Sequence, residues 1–213
     1  MFITCRRAHI DSFLKKSIPL MKGKVLDIGG KKKNKRGDFT PPKTESWKYL
    51  NLDESTSPDL VCDAGEIPLD DQSCHTILMC ELLEHVYEPE KVLKEGYRLL
   101  KNEGILIITI PFLIPFHSDP CDYQRFTYQK LSQMLENYNF CKIEIFQHGS
   151  ILSVIFDLFY AALCRSKNRG SFFNRIGFLF QNKLGPFAIR IDKRFNHLSD
   201  YINTGYGIVA YKK

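Results

Sequence analysis

Apolar residues fall into short runs divided by polar or glycine-containing turns, and these runs alternate with stretches of helical period. Lys24-Val25-Leu26-Asp27-Ile28-Gly29-Gly30 organises the rest. Its apolar run, then an acid, then paired glycines, predict a buried strand ending in a tight turn. A run of this kind suits the middle of a parallel sheet covered on both faces. Further strands are predicted over 47–53, ending in Asp53, over 59–62, followed by Asp63-Ala64, and over 75–80, leading into Glu81. Residues 105–110 form a central strand ended by Pro111, and 140–146 and 206–211 complete the set. Helical patterns cover 89–101 and, after a capping Thr127, the stretch to Tyr138. A weaker one runs over 7–21, broken by Pro19. Strands alternating with helices predict an α/β fold with a doubly wound parallel sheet. Residues 31–47, with Gly37, Pro41 and Pro42, hold little helix, so the first crossover is irregular.

Composition changes this picture little. The 213 residues suit one domain with a full core. Its expected parts are an entry segment (1–22), a core (23–148), an apolar and basic helical insertion (149–200) and a last strand (201–213). The net charge of +6 does not demand nucleic acid, and much of the excess sits in Lys31, Lys32, Lys33, Lys35 and Arg36. That cluster either attracts an acidic partner or is a solvated loop. Seven cysteines include no Cys-x-x-Cys pair, which predicts a reducing compartment with neither disulfides nor a metal site. The first 16 residues lack the continuous apolar core of a signal peptide. The longest apolar stretch, 151–163, is short of the roughly 20 residues a bilayer span needs. A cytoplasmic protein is expected.

Taken in order and spacing, VLDIGG, YLNLD, VCDAGEIPLDD, LMCELLEHV, GYRLLKNEGILIITIP and DYQRFT resemble the class I S-adenosylmethionine-dependent methyltransferases. The likeness is greatest to the small type 11 group, particularly enzymes associated with bacterial surface polysaccharide. It implies a Rossmann-like sheet of about seven strands with an antiparallel last strand, and S-adenosyl-L-methionine as cofactor. By position, Asp27, Gly29 and Gly30 would line the methionine portion, and Asp53 would hold the ribose hydroxyls. Asp63 and Ala64 would flank adenine, while Cys80 and Glu81 would border the methyl-transfer site. Asp53 also reads as an ordinary turn residue before Glu54-Ser55-Thr56. One departure is Lys31, where many family members carry a further glycine. The full Gly-x-Gly-x-x-Gly pattern of a dinucleotide site is absent.

Methyl transfer to a hydroxyl also removes a proton, so a base within reach helps. His117, in the Pro-rich loop past the fifth strand, is the candidate, with His85, Asp119 and Asp122 as the others; a plain surface histidine is the competing reading. His85 is expected to pack structurally. Tyr123 and Arg125 either clamp an acidic or sugar acceptor, or Arg125 pairs with Asp122 and fixes the loop. In the tail, Phe172, Phe173, Ile176, Phe178, Leu179 and Phe180 interleave with Arg175, Lys183 and Arg190. This reads as a lid, a dimer face or a peripheral membrane contact through 151–190. The expected acceptor is a small molecule, sugar or glycolipid precursor, with no DNA. RNA or protein acceptors and a non-catalytic binding protein are the alternatives.

Overall fold

The computed structural model describes residues 4–33, 37–117, 121–164, 184–192, 194 and 202–213. Among these, the elements are α1 (Cys5–Ser17), β1 (Lys24–Ile28), β2 (Ser46–Leu50), β3 (Cys74–Cys80), α2 (Pro89–Leu99), β4 (Leu100–Pro111), α3 (Tyr128–Asn137), β5 (Phe140–His148), α4 (Ile151–Cys164) and β6 (Gly205–Lys212). Residues 184–192 are also helical.

One sheet orders them β2-β1-β3-β4-β6-β5. β2, β1, β3 and β4 pair in parallel, and β6 runs antiparallel to both of its neighbours. Side-chain alternation divides the core. Leu26, Ile77, Ile108 and Ile208 face the layer of α2 and α3, and Val25, Leu78, Ile107 and Val209 face Ile10, Phe13 and Leu14 of α1. Helices therefore cover both faces, as a doubly wound sheet requires.

The described sheet has six strands rather than about seven. The segment 59–62 makes a single parallel bridge, Leu60 to Leu50, instead of a strand. Pro58 stands just ahead of it and lacks an N–H to donate, and Asp63 turns the chain away by accepting from Gly65 N at 2.7 Å. β2 likewise stops at Leu50, short of Asp53. β4 begins at Leu100, so α2 passes directly into it.

The irregular basic crossover 31–45 is held to α1 by side chains instead of a helix. Asp11 takes Arg7 on one oxygen and Asp38 N on the other, at 3.0 Å. Lys32 pairs with Asp59. Lys35 and Arg36, two of the five residues of the predicted basic cluster, lie outside the described residues, as do Asp119 and all the tail residues of the proposed amphipathic pattern except Arg190. No described helix is long and apolar enough to cross a membrane.

Candidate active site

A cavity of about 860 Å³ opens at the carboxyl ends of β1, β2 and β3, where open α/β sheets take their ligands. Its wall carries Asp27, Gly29, Gly30, Asp53, Asp63, Ala64, Cys80, Glu81 and His117. The strand tips named from the sequence thus meet around one space.

The glycines serve this chain's own acid. Gly29 has φ +82°, the left-handed region that glycine enters without a Cβ penalty. At Gly30 a Cβ would lie 2.6 Å from Asp27 Oδ2 and 2.7 Å from Oδ1. The bare backbone of Gly30 is therefore the space that Asp27's carboxyl occupies. That carboxyl is buried, and its Oδ1 has no hydrogen-bond partner. Burial pushes its pKa up to about 7, against the pull of the nearby Trp47 indole.

Asn51 fixes this turn. Its amide donates to the carbonyls of Gly29 (3.0 Å) and Gly30 (3.1 Å), and its oxygen accepts from Asp53 N at 2.9 Å. Asp53 itself caps the short turn Glu54–Thr56 by accepting from Ser55 N. Those hydrogen bonds hold its carboxyl below the usual range. It is thus a turn residue and a wall residue together, joining the two readings. Lys31 lies on the same wall.

At the other end the wall is assembled from remote segments. Asp157 of α4 accepts from Cys5 N (3.0 Å) and Arg6 N (2.9 Å), pinning the amino end of α1, where the helix dipole favours an anion. Arg6 consequently enters the cavity and pairs with Glu81. Burial lowers its pKa to about 10, opposed by the charge of Glu84. Glu81 is held at φ +54° at the tip of β3, and its Oε1 has no hydrogen-bond partner. Cys80 beside it is pushed up by burial.

His85, expected as a packing residue, is on the wall with His117, their rings in edge contact with centroids 5.0 Å apart. Burial lowers His117 to about 4, so its imidazole is neutral at neutral pH. Of the two readings for Arg125, the pair with Asp122 is present, and neither Tyr123 nor Arg125 lines the cavity. Tyr123 is exposed and in edge contact with Tyr87, and Arg125 grips Asp122 with two nitrogens. Arg125 hydrogen bonding holds Asp122 down at about 2. Sequence reasoning missed Arg6, Asn51, Glu84 and Asp157. Only Asn51 had a local signal, as the polar residue inside YLNLD.

Residues 38–108 match a family described as methyltransferase domain. An S-adenosylmethionine-dependent methyltransferase of Archaeoglobus fulgidus is similar over 97% of this chain and 94% of its own, with TM-score 0.59 and 18% identity. The chain has the fold of these methyltransferases, and residues 38–108 match the methyltransferase domain family. A phosphoethanolamine N-methyltransferase of Haemonchus contortus, solved with S-adenosyl-L-methionine, aligns over 97% of this chain and 52% of its own, with TM-score 0.56 and 15% identity. The same fold appears in the [4+2]-cyclase SpnF, which aligns over 95% of this chain and 80% of its own, with TM-score 0.58 and 16% identity. No curated protein matches the sequence.

Proposed function

We propose that this methyltransferase domain binds S-adenosyl-L-methionine at the β1–β2 end of the cavity. There it transfers the methyl group to a small-molecule, sugar or glycolipid-precursor hydroxyl at the Glu81–His117 end. The carrying observation is that Asp27, Asp53 and Asp63 line the same cavity as His85 and His117. Carboxylates match the cofactor's ammonium, sulfonium and ribose hydroxyls. The cofactor supplies the transferable methyl, and the chain's residues bind, orient and exclude water.

In this reading Asp53 accepts from the ribose hydroxyls and Asp63 from the adenine amine, with Ala64 beside the ring. Asp27 and the Gly29-Gly30 backbone take the methionine portion. His117, neutral at neutral pH, takes the acceptor's proton, and Arg125 keeps Asp122 in place behind it. At about 860 Å³ the cavity lies within the roughly 300–1,000 Å³ of ordinary ligand pockets, which favours a small acceptor over a polymer. An association with surface polysaccharide and a cytoplasmic location belong to this proposal.

Calorimetry with S-adenosylhomocysteine tests the cofactor half: one site per chain is expected, and absence of binding ends the reading. A radiolabelled methyl-transfer screen over glycan, lipid, RNA and protein fractions tests the acceptor half. Label confined to RNA or protein removes the small-acceptor assignment.

A further inference from the structure

We propose that Glu84, His85 and His117 form a site for a divalent transition-metal ion at the acceptor end of the cavity. One donor atom from each lies within 4.8 Å of the other two. Glu84 and His85 sit on the short turn Leu83–His85 that follows β3, and His117 lies in the loop that follows β4, the next strand of the sheet. Sheet adjacency thus unites residues that are remote in the sequence, where no metal-binding spacing is visible. Two imidazoles and one carboxylate suit Zn²⁺, Co²⁺ or Fe²⁺, whereas Mg²⁺ and Ca²⁺ prefer oxygen throughout.

Glu84 is the second, independent sign. Its side chain is 0% exposed, yet neither carboxylate oxygen has a hydrogen-bond partner. Buried carboxylates are ordinarily paired or bound to a metal. The arginines nearby are engaged elsewhere, Arg6 with Glu81 and Arg125 with Asp122. What faces Glu84 Oε1 is His85 Nε2, at 3.5 Å. His85 Nδ1 meets the Cys121 carbonyl oxygen, so this nitrogen carries the hydrogen and donates it. Behind His117, Asp122 Oδ2 lies 3.4 Å from Nδ1, and the same oxygen takes His117 N at 2.9 Å. The Cys121 carbonyl behind His85 Nδ1 is the outer-shell arrangement that orients a histidine ligand and presents Nε2 to a metal, while His117 Nδ1 is buried with no hydrogen-bond partner of its own.

Both histidines line the cavity, so a bound ion would reach an acceptor oxygen. His117 would then act as a ligand, and the proton of a cation-bound hydroxyl would leave to solvent instead of to the imidazole. The alternative is a proton on His85 that pairs directly with Glu84, and it predicts no metal uptake.

The site does not depend on the methyl-transfer reading, because the readout is metal binding itself. The untagged full chain, stripped with a chelator and dialysed, is titrated with Co²⁺ and followed by visible absorption. One Co²⁺ per chain is expected, with the strong ligand-field bands of a four- or five-coordinate ion. His117→Ala, at a partly exposed loop position, should weaken binding by at least about a hundredfold, and Asp122→Asn by about tenfold. Circular dichroism verifies that each variant is folded, and His85→Gln repeats the test should His117→Ala unfold. A wild-type chain that binds no Co²⁺, a pale six-coordinate spectrum, or uptake unchanged by loss of a histidine overturns the site. Failure here leaves S-adenosylhomocysteine calorimetry untouched, so the two readings fail separately.

Discussion

At the cofactor end of the cavity, each group comes from the strand tip it terminates or from the few residues after it. Gly30 makes room for Asp27, and Asn51 ties Gly29 and Gly30 to the tip of β2. At the proposed acceptor end, α1, the turn after β3, the loop after β4 and α4 each contribute a charged side chain, and Arg6 meets Glu81 while Asp157 holds the amino end of α1 across large sequence separations. Backbone geometry thus sets the first end, and electrostatic pairing the second. Damage to the first should appear in cofactor affinity, and damage to the second in turnover or in stability.

The largest effect is expected from His117→Ala under the proposed function. Loss of a proton acceptor typically costs about a hundred- to ten-thousandfold in rate, while affinity for S-adenosylhomocysteine stays within about twofold. Radiolabelled turnover on the true acceptor together with calorimetry checks this; equal losses in both would erase the contrast between the two ends.

Arg6→Ala comes next. Breaking a fully buried ion pair costs about 3–5 kcal/mol, and the 17% exposure of both Arg6 and Glu81 reduces that to about 2–3 kcal/mol. Urea denaturation should register the loss, and Glu81→Gln added to Arg6→Ala should recover part of it. Full stability in Arg6→Ala alone would detach Arg6 from the packing of this end.

Asp53→Ala should weaken cofactor binding by about 1–3 kcal/mol, the cost of leaving ribose hydroxyls without their acceptor. Because Asp53 is exposed, the melting temperature should scarcely move. Unchanged affinity by calorimetry would reduce this residue to its turn-capping role.

The smallest effect is a pH dependence. Burial lifts Asp27 from an ordinary 3.8 to about 7, so the ligand-free fold favours its protonated form. The stability this group contributes is complete below about 3.8 and is lost as pH rises towards 7. A cationic cofactor reverses the preference by favouring the carboxylate. Affinity for S-adenosylmethionine should therefore rise between pH 6 and 8, by at most about tenfold per unit. Proton release, read by calorimetry in buffers of different ionisation enthalpy, should disappear in Asp27→Asn.

The tip of β1 and its turn were largely legible in the sequence because a strand, an acid and two glycines are neighbours in the chain, and local geometry follows from local order. The irregular crossover was legible too, from Gly37 and the two prolines. Residues 59–62 misled because four residues with apolar Leu60 and Val61 resemble a strand, while Pro58 ahead and the Asp63 turn behind limit them to one bridge. Arg6 and Glu84 stayed hidden because their importance lies in partners that only folding supplies. Glu84 stands between Leu83 and His85 in LEHV, like any helix-surface acid, until β3 and β4 bring His117 beside it. Tyr123 and Arg125 were placed near the acceptor by their motif; the structure uses Arg125 to brace Asp122.

The sheet order has a consequence for synthesis of the chain. Among the described strands β6 is made last, yet it lies between β4 and β5, and β5 pairs with no other of them. Until residues 205–212 leave the ribosome, both flanking edges stay open to other chains, a hazard for any nascent sheet. Removal of residues 205–212 should therefore yield aggregates instead of a slightly shortened protein.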